Sequence, residues 1–127
     1  MGKEFFILSC GIFNISFGIL HLFFWKLFDW KHDLQKISYY NRVTIQVLNL
    51  RMIYVFLSVG LILILFKYEI MYTAIGNVIL VGVLLFWFGR LIEQVIFFKE
   101  KSVKVISLTV VIVVGLAIHI LALTMNK

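Results

Sequence analysis

The sequence predicts an all-α membrane protein: a four-transmembrane-helix antiparallel bundle with a short interfacial helix between helices 1 and 2. Three observations carry that prediction. The 127 residues are 63% hydrophobic and only 14% charged, where a soluble domain carries about 25% charged residues. Mean hydropathy is +1.08. The apolar residues gather in four runs of about 20 residues or more, each long enough to cross a hydrocarbon core ~30 Å thick. The expected organisation is a single transmembrane domain over 1–127, with helices at about 5–25, 43–66, 74–98 and 105–124 and an interfacial segment at about 27–40. Proline is absent, so the spans are expected to be straight.

The first run, Phe5 to Trp25, is too long for a signal-peptide core. No small-residue cleavage site follows it, so it reads as an uncleaved transmembrane helix. Between Lys26 and Arg42, Phe28, Trp30, Leu34 and Ile37 recur at roughly helical spacing among Lys31, His32, Asp33, Gln35 and Lys36. Asp29 is placed to cap a short helix. Trp30, Tyr39 and Tyr40 suit the headgroup zone, so this stretch is expected to lie on the membrane surface. The second run, Val43 to Phe66, carries Thr44, Gln46, Asn49 and Arg51 in its first half only. Lys67, Tyr68 and Glu69 form a short turn, which makes the second and third runs antiparallel neighbours. The third run ends in a basic loop from Lys99 to Lys104, and the fourth, Val105 to Thr124, is rich in valine and isoleucine.

Charge sets the expected orientation. The net charge of +6 sits mostly in short connections beside the spans, which suits membrane topology and argues against nucleic acid as a partner. One side holds Lys26, Lys31, Lys36, Arg42, Lys99, Lys101 and Lys104; the other holds Lys3, Lys67 and Lys127. The richer side is expected to be cytoplasmic. The chain is then a multi-pass protein of the inner (plasma) membrane with both termini outside the cytoplasm.

One stretch breaks the hydrophobic pattern. Phe86 to Gln94 places Arg90, Glu93 and Gln94 in a membrane span, at a cost of roughly 2.5–3.5 kcal/mol per charge. His21 falls late in the first span, and Gln46 and Asn49 early in the second. All six belong to the cytoplasmic half of the membrane. Gly11, Asn14, Gly18, His21 and Trp25 share one helical stripe, as do Arg42, Gln46, Asn49, Ile53, Phe56 and Gly60, and Val83, Trp87, Arg90 and Gln94. Small and polar residues mark packed interfaces between membrane helices, so these stripes are expected to face one another. Arg51 points about 160° away from Asn49 and is expected to snorkel or pair with another helix.

Each residue carries two readings. Arg90 and Glu93, three apart, either neutralise each other as a structural pair or mark a binding site. His21 is a packing hydrogen-bonder or a ligand and proton carrier. Gln46 and Asn49 are interhelical glue or substrate contacts. His119 is expected near the outer face, structural, and too far from His21 for the two to hold one haem iron. Asn14 and the glycines read as close-packing residues, and Cys10 as an inert buried thiol.

Several site classes are excluded. There is no histidine pair at i, i+4, no C-x-x-C, no glycine-rich phosphate loop and no G-x-S-x-G elbow. A zinc or di-iron centre needs more ligands at one depth than His21 and Glu93 supply. No metal is expected and no cofactor is assigned.

The residues from Gly18 to Leu22, Phe28 to Trp30, Asn41 with Arg42, Gln46 to Leu50, Leu85 to Trp87 and Arg90 to Phe98 form a pattern that resembles a group of small four-helix bacterial inner-membrane proteins of unknown function. The resemblance covers nearly the whole chain. It implies the topology and the polar residues without naming a reaction. A looser similarity, in size and topology, is to the DoxX-like membrane proteins, some of which accompany quinone-linked oxidoreductases.

The expected site is a polar pocket in the cytoplasmic half, built from His21, Gln46, Asn49, Trp87, Arg90, Glu93 and Gln94, with Trp25 as a second aromatic wall. The expected role is binding an amphiphile, a membrane lipid, quinone or isoprenoid. Arg90 would hold an anionic or carbonyl oxygen, and His21 and Glu93 are the candidates for proton transfer. The alternatives are a small proton-coupled transporter using Glu93, or a non-catalytic subunit of a membrane complex. The expected protein partners are a second copy of the chain or a membrane complex.

Overall fold

A computed structural model of the chain describes residues 2–126. It is an all-α membrane bundle, with no strand among the described residues. The helices are α1 (Lys3–Leu22), α2 (Phe24–Leu27), α3 (Trp30–Asp33), α4 (Tyr39–Leu65), α5 (Lys67–Tyr72), α6 (Ala74–Phe97) and α7 (Val103–Thr124); a single 3-10 turn, Leu34–Lys36, follows α3. Four of them, α1, α4, α6 and α7, are long and apolar enough to cross a membrane. The 27 residues of α4 make a rod of about 40 Å. That exceeds the hydrocarbon core and leaves room for Tyr39, Tyr40, Asn41 and Arg42 beyond it.

Three connections differ from expectation. The first helix ends at Leu22, because the chain leaves helical geometry at Phe23. Trp25 therefore belongs to the short helix α2. The surface segment is two single turns and a 3-10 turn rather than one amphipathic helix. Asp29 precedes α3 but does not cap it. Its φ is 48°, left-handed, and its carboxylate accepts from His32 Nδ1 at 2.8 Å. An N-cap needs extended backbone to aim its oxygen at the helix amides. The expected turn at Lys67 to Glu69 is instead the helix α5. Thr73 ends it and starts α6: its hydroxyl donates to the Glu69 carbonyl (2.6 Å) and accepts from the Gly76 amide (3.1 Å).

The chain divides into two compact units, Gly11–Ile62 and Met1–Cys10 with Leu63–Lys127. In the first, α1 and α4 approach closely at small residues. A Cβ on Gly60 would run into Ile15 and the Gly11 carbonyl, and one on Gly18 would meet Leu57 at 2.9 Å. Phe24, Phe28, Trp25 and Trp30 pack ring on ring, with centroids 4.8 to 6.5 Å apart, and Leu34 is buried.

In the second unit, α6 buries Gly76, Leu80, Trp87 and Gln94, and α7 buries Ile112, Gly115, His119 and Ala122. The Lys67 ammonium and the Tyr68 hydroxyl both donate to the Glu4 carboxylate. That tie holds the first turn of α1 to α5, and the hydrogen bond to Glu4 raises the Lys67 pKa above its ordinary value. Gly82 and Gly89 depart from the expectation for glycines: a Cβ at either would meet nothing within 4 Å.

Candidate functional site

The candidate residues fall into the two units and form a separate cluster in each. In Gly11–Ile62 the cluster is centred on His21. Its Nδ1 lies 2.7 Å from the Phe17 carbonyl one turn back. A carbonyl only accepts, so Nδ1 carries a proton and donates it to Phe17. Phe24 and Phe56 pack on the ring at centroid distances of 4.1 and 5.0 Å. The backbone carbonyl of His21 is one of the last four of α1, which have no helical partner. Asn49 Nδ2 donates to it at 3.1 Å. Asn49 is 8% exposed, and its Oδ1 makes no hydrogen bond within the protein. Gln46 turns back on its own helix, its amide donating to the Arg42 carbonyl at 3.1 Å. Trp25 stands outside the cluster, exposed, with Trp30 6.0 Å away.

In the other unit, Trp87 and Gln94 are fully enclosed on α6. Gln94 Nε2 donates to Thr109 Oγ1 at 3.1 Å, and that hydroxyl donates onward to the Val105 carbonyl at 2.8 Å. Gln94 Oε1, like Asn49 Oδ1, is buried with no hydrogen bond. Beside Trp87, at 6.2 Å between ring centroids, lies His119, 1% exposed, with Nδ1 donating to the Gly115 carbonyl at 2.7 Å. The structural role expected of His119 fits this enclosure. The signal that finds it is the stripe Thr109, Ile112, Gly115, His119, Ala122, spaced by three and four.

Arg90 and Glu93 part company. Among the described residues no carboxylate lies within 4.0 Å of the Arg90 guanidinium, which instead sits 5.6 Å from the Phe98 ring. Phe98 is eight residues on, about 12 Å along the helix axis, so the arginine reaches toward the C-terminal end of α6. Arg90 is half-buried and Glu93 is exposed. Of the two readings their spacing allows, the direct ion pair is not formed, although the Glu93 carboxylate stays close enough to attract the guanidinium. At about 100° per residue, Glu93 lies some 120° round the helix from Trp87 and Arg90 some 60°. The helix therefore buries Trp87, half-buries Arg90 and leaves Glu93 outside.

Arg51 is exposed on α4, its guanidinium 5.9 Å from the Tyr54 ring. Among the described residues no three His, Cys, Asp or Glu side chains gather as a metal site. No family model, curated protein or solved structure gives a significant match to this chain.

Proposed function

We infer that the protein binds an amphiphile, a lipid, quinone or isoprenoid, and takes its polar head at the Arg90 end of α6. One observation carries this reading: a half-buried guanidinium in an apolar helix, beside an aromatic ring, with no carboxylate of the described residues within 4.0 Å. A charge at that position is costly, and the nearby Glu93 carboxylate, outside ion-pair distance, offsets only part of that cost. An anionic or carbonyl oxygen offsets the cost, and the planar guanidinium fork suits it. Trp87 and Gln94 are enclosed, so they position α6 rather than touch a ligand. Glu93 lies about 6 Å from the end of α6 and is exposed, which gives no support to proton coupling through it.

The test is mass spectrometry of amphiphiles that co-purify with the protein. Wild type should retain one class in stoichiometric amount. Arg90→Ala should lower that retention about tenfold, the worth of one charge-assisted contact, and Arg90→Lys should restore part of it. Absence of any retained amphiphile, or retention unchanged in Arg90→Ala, would overturn the reading.

A second reading, a subunit that packs against a second copy or another membrane protein, is favoured by Arg51. It lies about 18 Å along α4 from Tyr39 and is exposed, whereas charges at such depth almost always face protein. A monodisperse monomer in lipid nanodiscs, unchanged by Arg51→Leu, would reject it. We place the chain with the small four-helix bacterial inner-membrane proteins, both termini outside the cytoplasm. The support is the run of lysines and arginines in the connections after the first and third spans. Labelling of cysteines introduced at Lys36 and Asn126 in a Cys10→Ala background tests it; Asn126 alone should react from outside.

A further inference from the structure

A second feature lies at the other end of α6, roughly 20 Å of helix from Arg90. Lys3, Asn77, Leu123, Thr124, Met125 and Asn126 line a wide-mouthed cavity of about 610 Å³. Lys3 is 5% exposed, yet it makes no hydrogen bond or ion pair with any described residue. The side-chain nitrogen and oxygen atoms sealed from solvent without a hydrogen bond are, among the described residues, Asn49 Oδ1 and Gln94 Oε1. The Lys3 ammonium is not one of them. It therefore keeps contact with open space, and the open space beside it is the cavity.

Among the described residues, nothing else in the cavity neutralises that charge. No acidic side chain lines it. The adjacent carboxylate, Glu4, is held by Lys67 and Tyr68. The other polar lining groups are the carboxamides of Asn77 and Asn126 and the hydroxyl of Thr124, whose proton goes to the Ile120 carbonyl at 2.9 Å. Lys3 begins α1 and Thr124 ends α7, which puts the cavity at the level of the span ends, where lipid headgroups lie.

We propose that this cavity binds a single anionic group of the phosphate type, with Lys3 supplying the charge and Asn77 and Asn126 supplying amide donors. A lysine nine-tenths enclosed, with no counter-charge among the described residues, is unfavourable. A phosphate oxygen removes that penalty through short charge-assisted hydrogen bonds. The group is either the head of an anionic phospholipid or free inorganic phosphate. The site is independent of the one at Arg90, so either stands if the other fails.

The experiment uses the intact chain in neutral detergent, in wild type and in an Arg90→Ala background. Native mass spectrometry after mixing with equal phosphatidylglycerol and phosphatidylcholine measures lipid preference, and calorimetric titration with inorganic phosphate measures the free anion. Phosphatidylglycerol should be retained over phosphatidylcholine in both backgrounds if the source is a lipid, and phosphate should give saturable heat if it is the free ion. Lys3→Gln should weaken whichever binds about tenfold, Lys3→Arg should preserve it, and Asn126→Ala, at an exposed residue, should weaken it a few-fold. Binding at the wild-type level in Lys3→Gln, or the absence of both lipid preference and phosphate heat in wild type, would overturn the proposal. If Lys3→Gln fails to fold, Asn126→Ala decides in the same way.

Discussion

Replacing Gly76 by alanine tests the tightest corner in the protein. The Thr73 hydroxyl ties the Glu69 carbonyl to the Gly76 amide. That places Gly76 against the main chain of Ile70. A Cβ added at position 76 would overlap Ile70 Cα, carbonyl carbon and carbonyl oxygen. Backbone atoms cannot rotate aside as a side-chain tip can, so α5 must move on the order of 1 Å before the atoms regain van der Waals separation. Overpacking costs about 1–3 kcal/mol, and the move strains a helix cap worth about 1 kcal/mol. The gain in helix propensity, at most ~1 kcal/mol, offsets part of this. The net expectation is a loss of about 1–3 kcal/mol. Gly82 and Gly89 are controls on the same helix: with nothing within 4 Å of an added Cβ, Gly82→Ala and Gly89→Ala should be neutral or stabilising by up to ~1 kcal/mol. Reversible unfolding in mixed micelles, followed by far-ultraviolet circular dichroism across a dodecyl sulfate titration, measures all three. If Gly76→Ala is no less stable than Gly82→Ala, the argument from Ile70 is wrong.

Three further outcomes are expected. Thr109→Val removes the hydroxyl that accepts from Gln94; a double-mutant cycle with Gln94→Leu should give a coupling of about 0.6 kcal/mol, and zero coupling would mean that the hydrogen bond contributes nothing. The Asp33 carboxylate, hydrogen-bonded to Lys36, titrates below its ordinary value, and Lys36 titrates above its own. The Asp33 contribution to stability is therefore complete above the ordinary carboxylate range and is lost only as pH falls through the lowered value. The Lys36 contribution is complete below its ordinary range and is lost as pH rises through the raised one. NMR titration of Lys36→Ala should return Asp33 to an ordinary carboxylate value. At Asp29, whose φ of 48° suits residues without a branched Cβ, Asp29→Ile should cost about 1–2 kcal/mol. Asp29→Gly should match or exceed wild type, and thermal melts that put the isoleucine variant level with glycine would refute the strain.

The four spans were legible because hydrophobic runs of this length have one explanation in a chain so poor in charge. The connections were not. A six-residue helix such as α5 leaves no periodic signature, and its end is set by one threonine hydroxyl. Asp29 had the right residue type and place for a cap, but its side chain found His32 and its backbone turned left-handed. Within the candidate site, Asn49 and Gln94 were legible as buried polar residues, while their partners, a helix-terminal carbonyl and a threonine on α7, depend on tertiary packing. Arg90 and Glu93 misled because a spacing of three permits an ion pair without requiring one; the long arginine side chain found the end of its helix instead. His119 was assigned from depth alone, and depth does not say which way a residue faces.

The buried positions of the last two helices have a consequence for how those helices wind. On α6 they return at Leu80, Trp87 and Gln94, and on α7 at Ile112 and His119, with Gly115 and Ala122 between and beyond. Both series step by sevens. A seven-residue repeat is slightly shorter than two turns of a straight helix, and helices that keep such a repeat in contact tend to coil left-handed about each other. Gly115 and Ala122 occupy the alternate seam positions, where small side chains allow close approach. The two helices are therefore in register like a zipper. Sliding one along the other by a single turn would take the large buried residues out of step with the small ones.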